Sequence, residues 1–421
     1  MINKDLKVID SVCTGCSACT EACAYAGENG GKPIRLVINE HGLKVPRIDK
    51  ETCVRCLSCY KACPQEDNIF NKETTLEDYK RKIGDCYYGY SLDQGHRFEA
   101  ATAGIVTEIA AYLLDTQQVD GVVSSYQDDA NQIVTEIFTD ACAVKKTRGS
   151  IYRQVSLFSG FAEKVQAGNH KKLLFIGLPC HIAGLRSLQR TSPAFLKDVE
   201  FITIALFCKQ TKTEAFSDVE RSLLGAKSNQ KIDYRGEGWP GKTRVEGGRS
   251  LPFNDIRFSL MWGSFAFTPA YCFVCSDPLG VEADISVGDA WLRKYYYDRV
   301  GSSLFSVNTT AGKRIIEEMV GGGKIHVKIE TIEDVVFSQS VHYLRFKKIH
   351  MQTRAVLLSG IEIDADAPVR YKWLLNWVKF NKRFIESLYK SRFINAFPKV
   401  ILKVYLRFIS KIFGLLTKIC N

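Results

Sequence analysis

A duplicated cysteine run near the start constrains the fold of this 421-residue chain more than any other feature. The segments IDSVCTGCSACTEAC and IDKETCVRCLSCYKACP, at residues 9–23 and 48–64, share the spacing C-x2-C-x2-C-x3-C. Three thiolates two residues apart wrap one corner of a cubane within a tight loop, and the fourth extends towards a neighbouring cluster. The repeat therefore predicts two [4Fe–4S] clusters, and paired zinc sites are the less favoured alternative.

The spacing is that of bacterial two-cluster ferredoxins, in which the fourth cysteine of each run binds the other cluster. We therefore expect one cluster to be bound by Cys13, Cys16, Cys19 and Cys63, and the other by Cys53, Cys56, Cys59 and Cys23. Pro64 follows the second run as the pattern expects, whereas Ala24 stands at the equivalent position of the first. Between the runs, alternating apolar residues predict a hairpin that turns at residues 39–42.

Four more cysteines are carried by three separate segments later in the chain. KLLFIGLPC ends at Cys180, FITIALFC ends at Cys208, and YCFVCSDPLG contains Cys272 and Cys275. The first two segments are continuous apolar runs, which are typical of buried strands in an α/β sheet. Ligands in such sheets bind beyond the carboxyl ends of the strands. The four thiols therefore predict a further metal or cluster site that the fold assembles.

The fifteen cysteines indicate ligands rather than disulfides. The chain begins without a charged and apolar leader of the secretory type, so we expect a reducing, cytoplasmic location in which closely spaced cysteines bind metals. The length predicts several domains, which we place at residues 1–75, 76–165, 166–345 and 346–421. A polar stretch at residues 65–83 is interpreted as a linker.

Three stretches offer candidates for binding an anionic cofactor. A helix is predicted over residues 105–114, with Thr102 and Gly104 at its start, where backbone amides can bind phosphate. An ordinary capped amphipathic helix is the favoured alternative for this stretch taken alone. Ser150 lies in TRGSIYRQVS, which either lines a phosphate site or forms an exposed loop. The strand in ADISVGDAW stops at Gly288 and Asp289, and Asp289 either contacts a cofactor or caps the next element.

Together these residues resemble the coenzyme F-420 hydrogenase/dehydrogenase beta-subunit family. The resemblance is carried by the cysteine repeat and, from about Cys86 to Trp291, by GLPCHIAGLR, LFC, RGEGWPG, the CxxC pair and ADISVGDAW. It covers about the first three quarters of the chain. The family implies FAD beside a third [4Fe–4S] cluster, and the interconversion of hydride chemistry and single electrons. Carried over by position, the third cluster falls on Cys180, Cys208, Cys272 and Cys275, and a flavin-binding turn on Thr102–Gly104.

The net positive charge of the chain, +11, lies in its last 54 residues. From Pro368 onwards there are twelve Lys and Arg but one acid, Glu386, and the rest of the chain has 45 side chains of each sign. Amphipathic helices are predicted over residues 370–390 and after Pro398, and neither has the ~20 uncharged apolar residues that span a bilayer. This tail either lies on an anionic membrane or packs on the protein or a partner. No nucleic-acid-reading motif accompanies the charge.

The predicted fold class is α/β: an α+β ferredoxin-type N-terminal domain, a mixed α/β body that binds flavin and a cluster, and a helical tail. The predicted function is an iron–sulfur flavoprotein oxidoreductase that acts on an organic substrate or a deazaflavin-like coenzyme. Its expected partners are a redox protein or ferredoxin and a small-molecule or lipid-linked substrate, with peripheral binding to the inner face of the cell membrane. The alternatives are a non-catalytic electron-transfer subunit of a larger complex and, less favoured, an iron–sulfur sensor.

Overall fold

An eight-stranded mixed sheet forms the centre of the fold. The computed structural model describes residues 12–23, 31–65, 75–191, 193–227, 229–348 and 369–420. Ala24, residues 66–74 of the expected linker and residues 349–368 at the start of the expected tail lie outside the described residues. The strands are β1 (Ile34–Ile38), β2 (Lys44–Ile48), β3 (Asp85–Ser91), β4 (Gly121–Gln127), β5 (Ile133–Phe138), β6 (Lys172–Gly177), β7 (Glu200–Leu206), β8 (Ile232–Asp233), β9 (Lys242–Val245), β10 (Ser250–Pro252), β11 (Ile285–Asp289), β12 (Ser303–Val307) and β13 (Ile325–Glu330).

Helices cover the sheet and form the C-terminal part of the chain. They are α1 (Ala18–Glu21), α2 (Ser58–Lys61), α3 (Leu76–Lys80), α4 (Gln94–Glu99), α5 (Ile105–Asp115), α6 (Ala141–Lys145), α7 (Phe161–Ala167), α8 (Pro179–Arg190), α9 (Glu214–Leu223), α10 (Ile256–Gly263), α11 (Tyr271–Val274), α12 (Thr310–Gly321), α13 (Ile332–Ser338), α14 (Val341–Lys348), α15 (Val369–Lys390) and α16 (Lys399–Cys420). The helix predicted over residues 105–114 is therefore confirmed as α5.

The strand order of the large sheet is β13-β3-β12-β11-β7-β6-β4-β5. Strands β11, β7, β6 and β4 are parallel, and antiparallel strands flank them on both sides. The apolar runs that predicted buried strands form β6 and β7, whose middle residues are buried. Because β6, β7 and β11 point the same way, Cys180, Cys208 and Asp289 come at the same edge of the sheet.

The N-terminal cysteine runs flank a hairpin that is bound to the body of the protein. The predicted hairpin is confirmed, since β1 pairs antiparallel with β2 and the turn lies at residues 39–43. The Phe158 amide donates to the Cys16 carbonyl oxygen at 2.9 Å, and the Ala162 amide donates to Glu21 at 2.9 Å. These bonds hold the first cysteine loop against the segment that precedes α7.

The expected linker contains a short helix in its second half. Helix α3 is capped by Thr75, whose side chain accepts a hydrogen bond from the Asp78 amide, while the Thr75 amide donates one to the Asp78 carboxylate. Tyr79 is buried and donates to Asp277, and its hydroxyl also accepts from the Leu279 amide. A polar composition led us to expect only a linker, and one buried tyrosine fixes this part of it on the body.

The basic tail folds into two long helices that pack on the body through one face. The predicted amphipathic helices are confirmed as α15 and α16. Helix α16 contacts α10 and α14, and α15 contacts α16. Leu374, Leu375, Val378, Ile385 and Ile409 are buried by this packing. Among the described residues, no helix is both long and apolar enough to cross a membrane.

Candidate cluster and cofactor site

The two N-terminal cysteine loops adopt the same backbone conformation. Gly15 and Arg55, at equivalent positions, have φ of 67° and 57°, and Ser17 and Leu57 have φ of 76° and 63°. In each loop an amide donates to the first cysteine sulfur: Gly15 to Cys13 Sγ at 3.3 Å, and Arg55 to Cys53 Sγ at 3.4 Å. The sequence repeat is therefore a structural repeat, and its N–H···S bonds favour the thiolate that a cluster requires.

The thiols of the two loops lie near one another. Burial raises the pKa of Cys19 well above its ordinary value, and the thiols of Cys16, Cys13, Cys63 and Cys59 raise it further. Burial also raises the pKa of Cys59, with a contribution from Cys23. Cys19 thus interacts with thiols of both expected sets, and the crossed ligand sets stay a prediction.

The four later cysteines come together where the parallel strands end. Cys180 begins α8 directly after β6, Cys208 follows β7, and Cys272 and Cys275 lie in α11 and at its C-terminus. Burial raises the pKa of Cys180 well above its ordinary value, and the Cys208, Cys275 and Cys272 thiols add to the rise. Burial raises the pKa of Cys272 to about 11, although the Thr211 amide donates to its sulfur at 3.3 Å.

This inner thiol group, defined as Cys180, Cys208, Cys272 and Cys275, lies beside the first cysteine loop. Cys16 is among the thiols that raise the pKa of Cys180. A β-carbon added to Gly184 would lie 3.8 Å from Cys16 Sγ, so α8 runs directly past the loop. Tyr271 is buried at the junction: burial raises its pKa well above the ordinary value, and Cys272, Cys180, Cys208 and Cys13 add to the rise.

The side chains of the inner thiol group fit an iron–sulfur cluster. A bare thiolate is unfavourable in this buried setting, because burial penalises charge and each thiolate repels the others. Cationic iron removes both penalties, and metal binding releases the thiol protons. Among the described residues, no three Cys, His, Asp or Glu side chains converge closely enough to share a single metal ion. A [4Fe–4S] cluster binds each thiolate through a different iron atom, so its ligands do not converge in that way.

A cavity of about 700 Å³ opens beside the inner thiol group. Its lining includes Cys208 together with all the residues proposed from the sequence to bind a cofactor: Thr102, Gly104, Ser150, Gly288 and Asp289. The volume lies within the range of small-molecule and cofactor sites. The tail also reaches it, because Ser410 and Phe413 of α16 line the cavity. The fold thus brings together candidates that are widely separated along the chain.

Buried polar atoms in the cavity wall lack hydrogen-bond partners among the described residues. Arg235 Nη1 donates to Asp289 Oδ2 at 2.6 Å, while Arg235 Nη2 and Asp289 Oδ1 have no such partner. Trp262 Nε1 and Ser303 Oγ are also buried without a hydrogen-bond partner among the described residues. Leaving a buried polar group unpaired costs about 1–3 kcal/mol. These atoms therefore fit a polar ligand, and flavins carry the amide, hydroxyl and phosphate groups that would pair with them.

The individual candidates contribute in different ways. Gly104 is the N-cap of α5 with φ of 71°, and it leaves the first turn without a side-chain cap. The Thr102 hydroxyl instead donates to the Ser302 carbonyl oxygen at 2.9 Å. A β-carbon at Gly288 would lie 2.2 Å from the Phe207 ring, so glycine is required there by packing. Ser150 lies near Tyr152, whose pKa burial raises to about 12.

His181, which follows Cys180 directly, has a structural role. Burial lowers its pKa to about 4, so the ring is neutral near neutral pH. The Leu178 amide donates to His181 Nδ1 at 3.1 Å, which anchors the start of α8. The ring therefore positions the turn that carries Cys180.

Sequence reasoning missed the buried cations near the site, among them Arg235 and Lys347. Arg235 lies in RGEGWPG, where the glycines attracted notice but the arginine did not, and it forms the ion pair with Asp289. Lys347 lies 1% exposed in α14 and donates to the Cys272 carbonyl oxygen. Charged residues surround Arg235 in the sequence, so its neighbours give no signal that it is buried. For Lys347 no local pattern indicates proximity to Cys272.

Comparison with protein families gives matches over most of the chain. The coenzyme F420 hydrogenase/dehydrogenase beta-subunit family matches with its N-terminal part over residues 86–161 and its C-terminal part over residues 170–333. Together these matches cover more than half of the chain. Two overlapping matches to 4Fe–4S dicluster domains cover residues 12–69 and 45–100.

Similar proteins come from Methanocaldococcus jannaschii. A coenzyme F420-dependent sulfite reductase of this organism is 26% identical over an alignment of 281 residues, and the match covers 57% of this chain and 42% of that protein. The chain thus spans under half the length of this relative. An uncharacterised protein of the same organism is 25% identical over 354 residues, covering 77% of this chain and 92% of that protein.

A chain of the F420-reducing [NiFe] hydrogenase complex from Methanosarcina barkeri, solved after xenon derivatization, is similar in fold. The TM-score is 0.52 at 18% identity, over 63% of this chain and 91% of that one. This likeness confirms the predicted α/β fold class.

Proposed function

Because the chain belongs to the coenzyme F420 hydrogenase/dehydrogenase beta-subunit family and carries a 4Fe–4S dicluster region, we propose that it is an iron–sulfur flavoprotein oxidoreductase. One observation carries the flavin part of the proposal. The same cavity is lined by Cys208 and by the five residues expected to bind FAD. A flavin held there would lie directly beside the inner thiol group.

The thiol positions support a proposal of three ligand sets. Two clusters would be held by the crossed sets, Cys13, Cys16, Cys19 and Cys63 in the first and Cys53, Cys56, Cys59 and Cys23 in the second. A third would be held by Cys180, Cys208, Cys272 and Cys275. The exposed second loop, the buried first loop, the inner thiol group and the cavity follow one another in that order. Electron transfer between the protein surface and the cavity would require such an order.

The cavity residues would bind and orient the flavin. The first turn of α5 after Gly104 would bind the phosphates, since a helix N-terminus attracts anions. Arg148, which also lines the cavity and pairs with Glu99, adds positive charge on that side. Arg235 Nη2 and Asp289 Oδ1 would form hydrogen bonds with the flavin. A bound flavin supplies exchange of both one and two electrons, whereas a cluster normally exchanges one.

The names of the relatives support a proposal for the substrate class. The sulfite reductase of M. jannaschii depends by name on coenzyme F420, so a deazaflavin-like coenzyme or another organic hydride donor or acceptor is the proposed substrate. The name of the hydrogenase complex indicates assembly with other subunits, and we propose a redox partner protein for this chain too.

We also propose that the tail binds an anionic membrane surface with the face that does not pack on the body. Its exposed large apolar residues are Trp373, Phe380, Phe384, Phe393, Phe397, Val400, Ile401, Val404, Phe408, Leu415 and Ile419. Its exposed basic residues are Lys372, Arg383, Lys390, Arg392, Lys399, Lys403, Arg407, Lys411 and Lys418. The one acid, Glu386, is half-buried and accepts from the Phe267 amide and Lys382. Mixed apolar and cationic surface favours an anionic interface, and a lipid-linked substrate would reach the cavity past Phe413.

Vesicle flotation tests the tail. Full-length protein is expected to float with vesicles containing phosphatidylglycerol and not with pure phosphatidylcholine vesicles. The variant Lys403→Glu/Arg407→Glu/Lys411→Glu should lose this binding, because juxtamembrane basic residues contribute about 1 kcal/mol each. The control Lys313→Glu/Arg314→Glu/Lys328→Glu changes the net charge equally on the body and should still float. Equal flotation of the two variants would exclude the tail surface.

Iron, sulfide and flavin content tests the redox assignment. Protein purified without oxygen should contain about twelve irons, from three four-iron clusters, and one flavin. Cys208→Ala should lose about four irons, while Cys142→Ala, at an exposed cysteine outside every proposed ligand set, should lose none. About eight irons and no flavin after reconstitution would instead support the non-catalytic electron-transfer subunit.

A further inference from the structure

The second cysteine loop is the exposed end of the thiol arrangement. Cys56 is exposed, and the flanking Val54 and Leu57 are 55% and 40% exposed. In contrast, Cys16 of the first loop is buried. Two large apolar side chains thus surround the most accessible thiol of the proposed ligand sets.

The two loops share a backbone conformation but carry different side chains at their left-handed positions. The left-handed positions are occupied in the first loop by Gly15 and Ser17, and in the second by Arg55 and Leu57. A β-carbon on Gly15 would lie 2.3 Å from Gln154 Nε2 and 2.8 Å from the Lys44 carbonyl oxygen, so the first loop has no room for a side chain at Gly15. The equivalent Arg55 of the second loop is exposed, so a long side chain fits there.

The left-handed conformation costs roughly 1–2 kcal/mol for a residue other than glycine. Glycine would avoid that cost at Arg55 and Leu57, yet both positions carry long side chains that point into solvent. Buried Ser17 of the first loop has the same conformation, so the conformation belongs to both loops. The second loop differs in that its side chains at these positions are long and exposed, which makes them available for contact with something outside the chain.

The surface around this loop is basic. Exposed Lys50, Arg55 and Lys61 lie within twelve residues of sequence, with Glu51 as the one acid among them. Across residues 31–65 there are seven Lys and Arg and three Asp and Glu. A second copy of the chain would present the same positive face and be repelled.

We propose that the surface formed by Val54, Arg55, Leu57 and Lys61 is the docking site of a small acidic electron-transfer protein. The proposal rests on the proposed function, because it assumes a cluster on Cys53, Cys56, Cys59 and Cys23. Val54 and Leu57 form the apolar centre of the contact, and Arg55 and Lys61 form its charged rim. In each encounter one electron leaves the reduced centre of the partner and one is gained by this chain, and no bond forms or breaks. Such encounters bury little surface and depend on charge for their rate.

Stopped-flow reduction of the holoprotein tests the site. The probe is a reduced, acidic two-cluster bacterial ferredoxin, and reduced methyl viologen is the small-molecule control. Arg55→Glu/Lys61→Glu should lower the second-order rate with ferredoxin by about tenfold or more at low salt, because it reverses the electrostatic steering. The loss should shrink as salt screens the charges. The rate with methyl viologen should not fall, since the viologen is itself a cation.

Two further variants define the surface. Arg314→Glu/Lys328→Glu carries the same change in net charge on α12 and β13 and should keep the wild-type rate with ferredoxin. Leu57→Ser should weaken ferredoxin binding, measured by calorimetry, without changing the iron content. A ferredoxin rate that falls equally in both double variants, or in neither, overturns the docking site. Failure of methyl viologen to reduce any cluster in iron-replete wild-type protein would overturn the proposed function instead.

Discussion

At the scale of single residues, the inner thiol group is notable for the cations around it. Lys347 is buried, donates to the Cys272 carbonyl oxygen, and its charge opposes the effect of burial on the pKa of Cys272. Lys212 is also fully buried and donates to the Ala266 and Met261 carbonyl oxygens at 2.8 and 3.1 Å. Burial lowers the pKa of Lys212 well below its ordinary value. Lys347 is thus the cation that contacts the ligand segment directly.

Replacement of Lys347 should lower the reduction potential of the inner cluster. Reduction adds negative charge, which a nearby cation stabilises, so Lys347→Met favours the oxidised cluster. A tenfold shift of the one-electron equilibrium corresponds to about 59 mV, and we expect a shift of at least this size in an EPR-monitored titration. Lys347→Arg keeps the charge and should restore most of the potential. An unchanged potential in a Lys347→Met protein with full iron content would contradict this role.

At the scale of elements, one carboxylate joins the tail to the body. Asp255, the N-cap of α10, accepts from Arg257 and from Lys399 at the start of α16. Burial opposes its ionisation, but these hydrogen bonds outweigh burial and lower the carboxyl pKa to about 2. A lowered pKa means that the bond stabilises the fold fully above the unfolded pKa of about 3.9. The stabilisation is lost only as the pH falls towards about 2.

Asp255→Asn should therefore loosen α16 to the same extent at about pH 6 and pH 8, since both lie above the ordinary aspartate pKa. We expect trypsin to cleave after Lys399 and Lys403 several-fold faster in this variant, because it loses the bond to the solvent-exposed Lys399, which contributes up to about 1 kcal/mol. Asp233→Asn removes a half-exposed partner of Arg244 and serves as the control. A cleavage ratio that changed between the two pH values would show that another group governs attachment of the tail.

At the scale of the whole molecule, the thiols differ in exposure. Cys56 of the second loop is exposed, whereas Cys16 of the first loop and Cys272 of the inner thiol group are buried. The cavity adjoins the inner group at Cys208, and residues of α16 line part of it. This arrangement leaves the second loop as the accessible part of the thiol arrangement.

Oxidative damage should consequently follow exposure. During stepwise oxidation of the holoprotein with ferricyanide, followed by alkylation and mass spectrometry, the exposed Cys56 should become labelled before the buried Cys16 and Cys272. Cys142, which is exposed and outside the ligand sets, should be labelled from the start. Labelling of Cys16 or Cys272 before Cys56 would contradict this order.

The sequence by itself determined those features whose information is local. The duplicated spacing predicts the paired loops, because a short loop can wrap a cluster without help from the rest of the chain. Apolar runs and their terminal cysteines predict β6, β7 and the thiols at one sheet edge, since parallel strands align their carboxyl ends. The amphipathic periodicity predicts α15 and α16. The ligand sets and the flavin contacts remain predictions.

Only the tertiary structure decided which of these features meet. The approach of Cys16 to Cys180, the contact of Lys347 with Cys272 and the cavity shared by Thr102, Ser150 and Asp289 join residues far apart in sequence. No local pattern encodes such contacts, because they depend on how whole elements pack. The tail shows the same division. Its sequence left packing on the body and membrane binding as alternatives, and the fold shows that one face packs while the basic and aromatic face stays exposed.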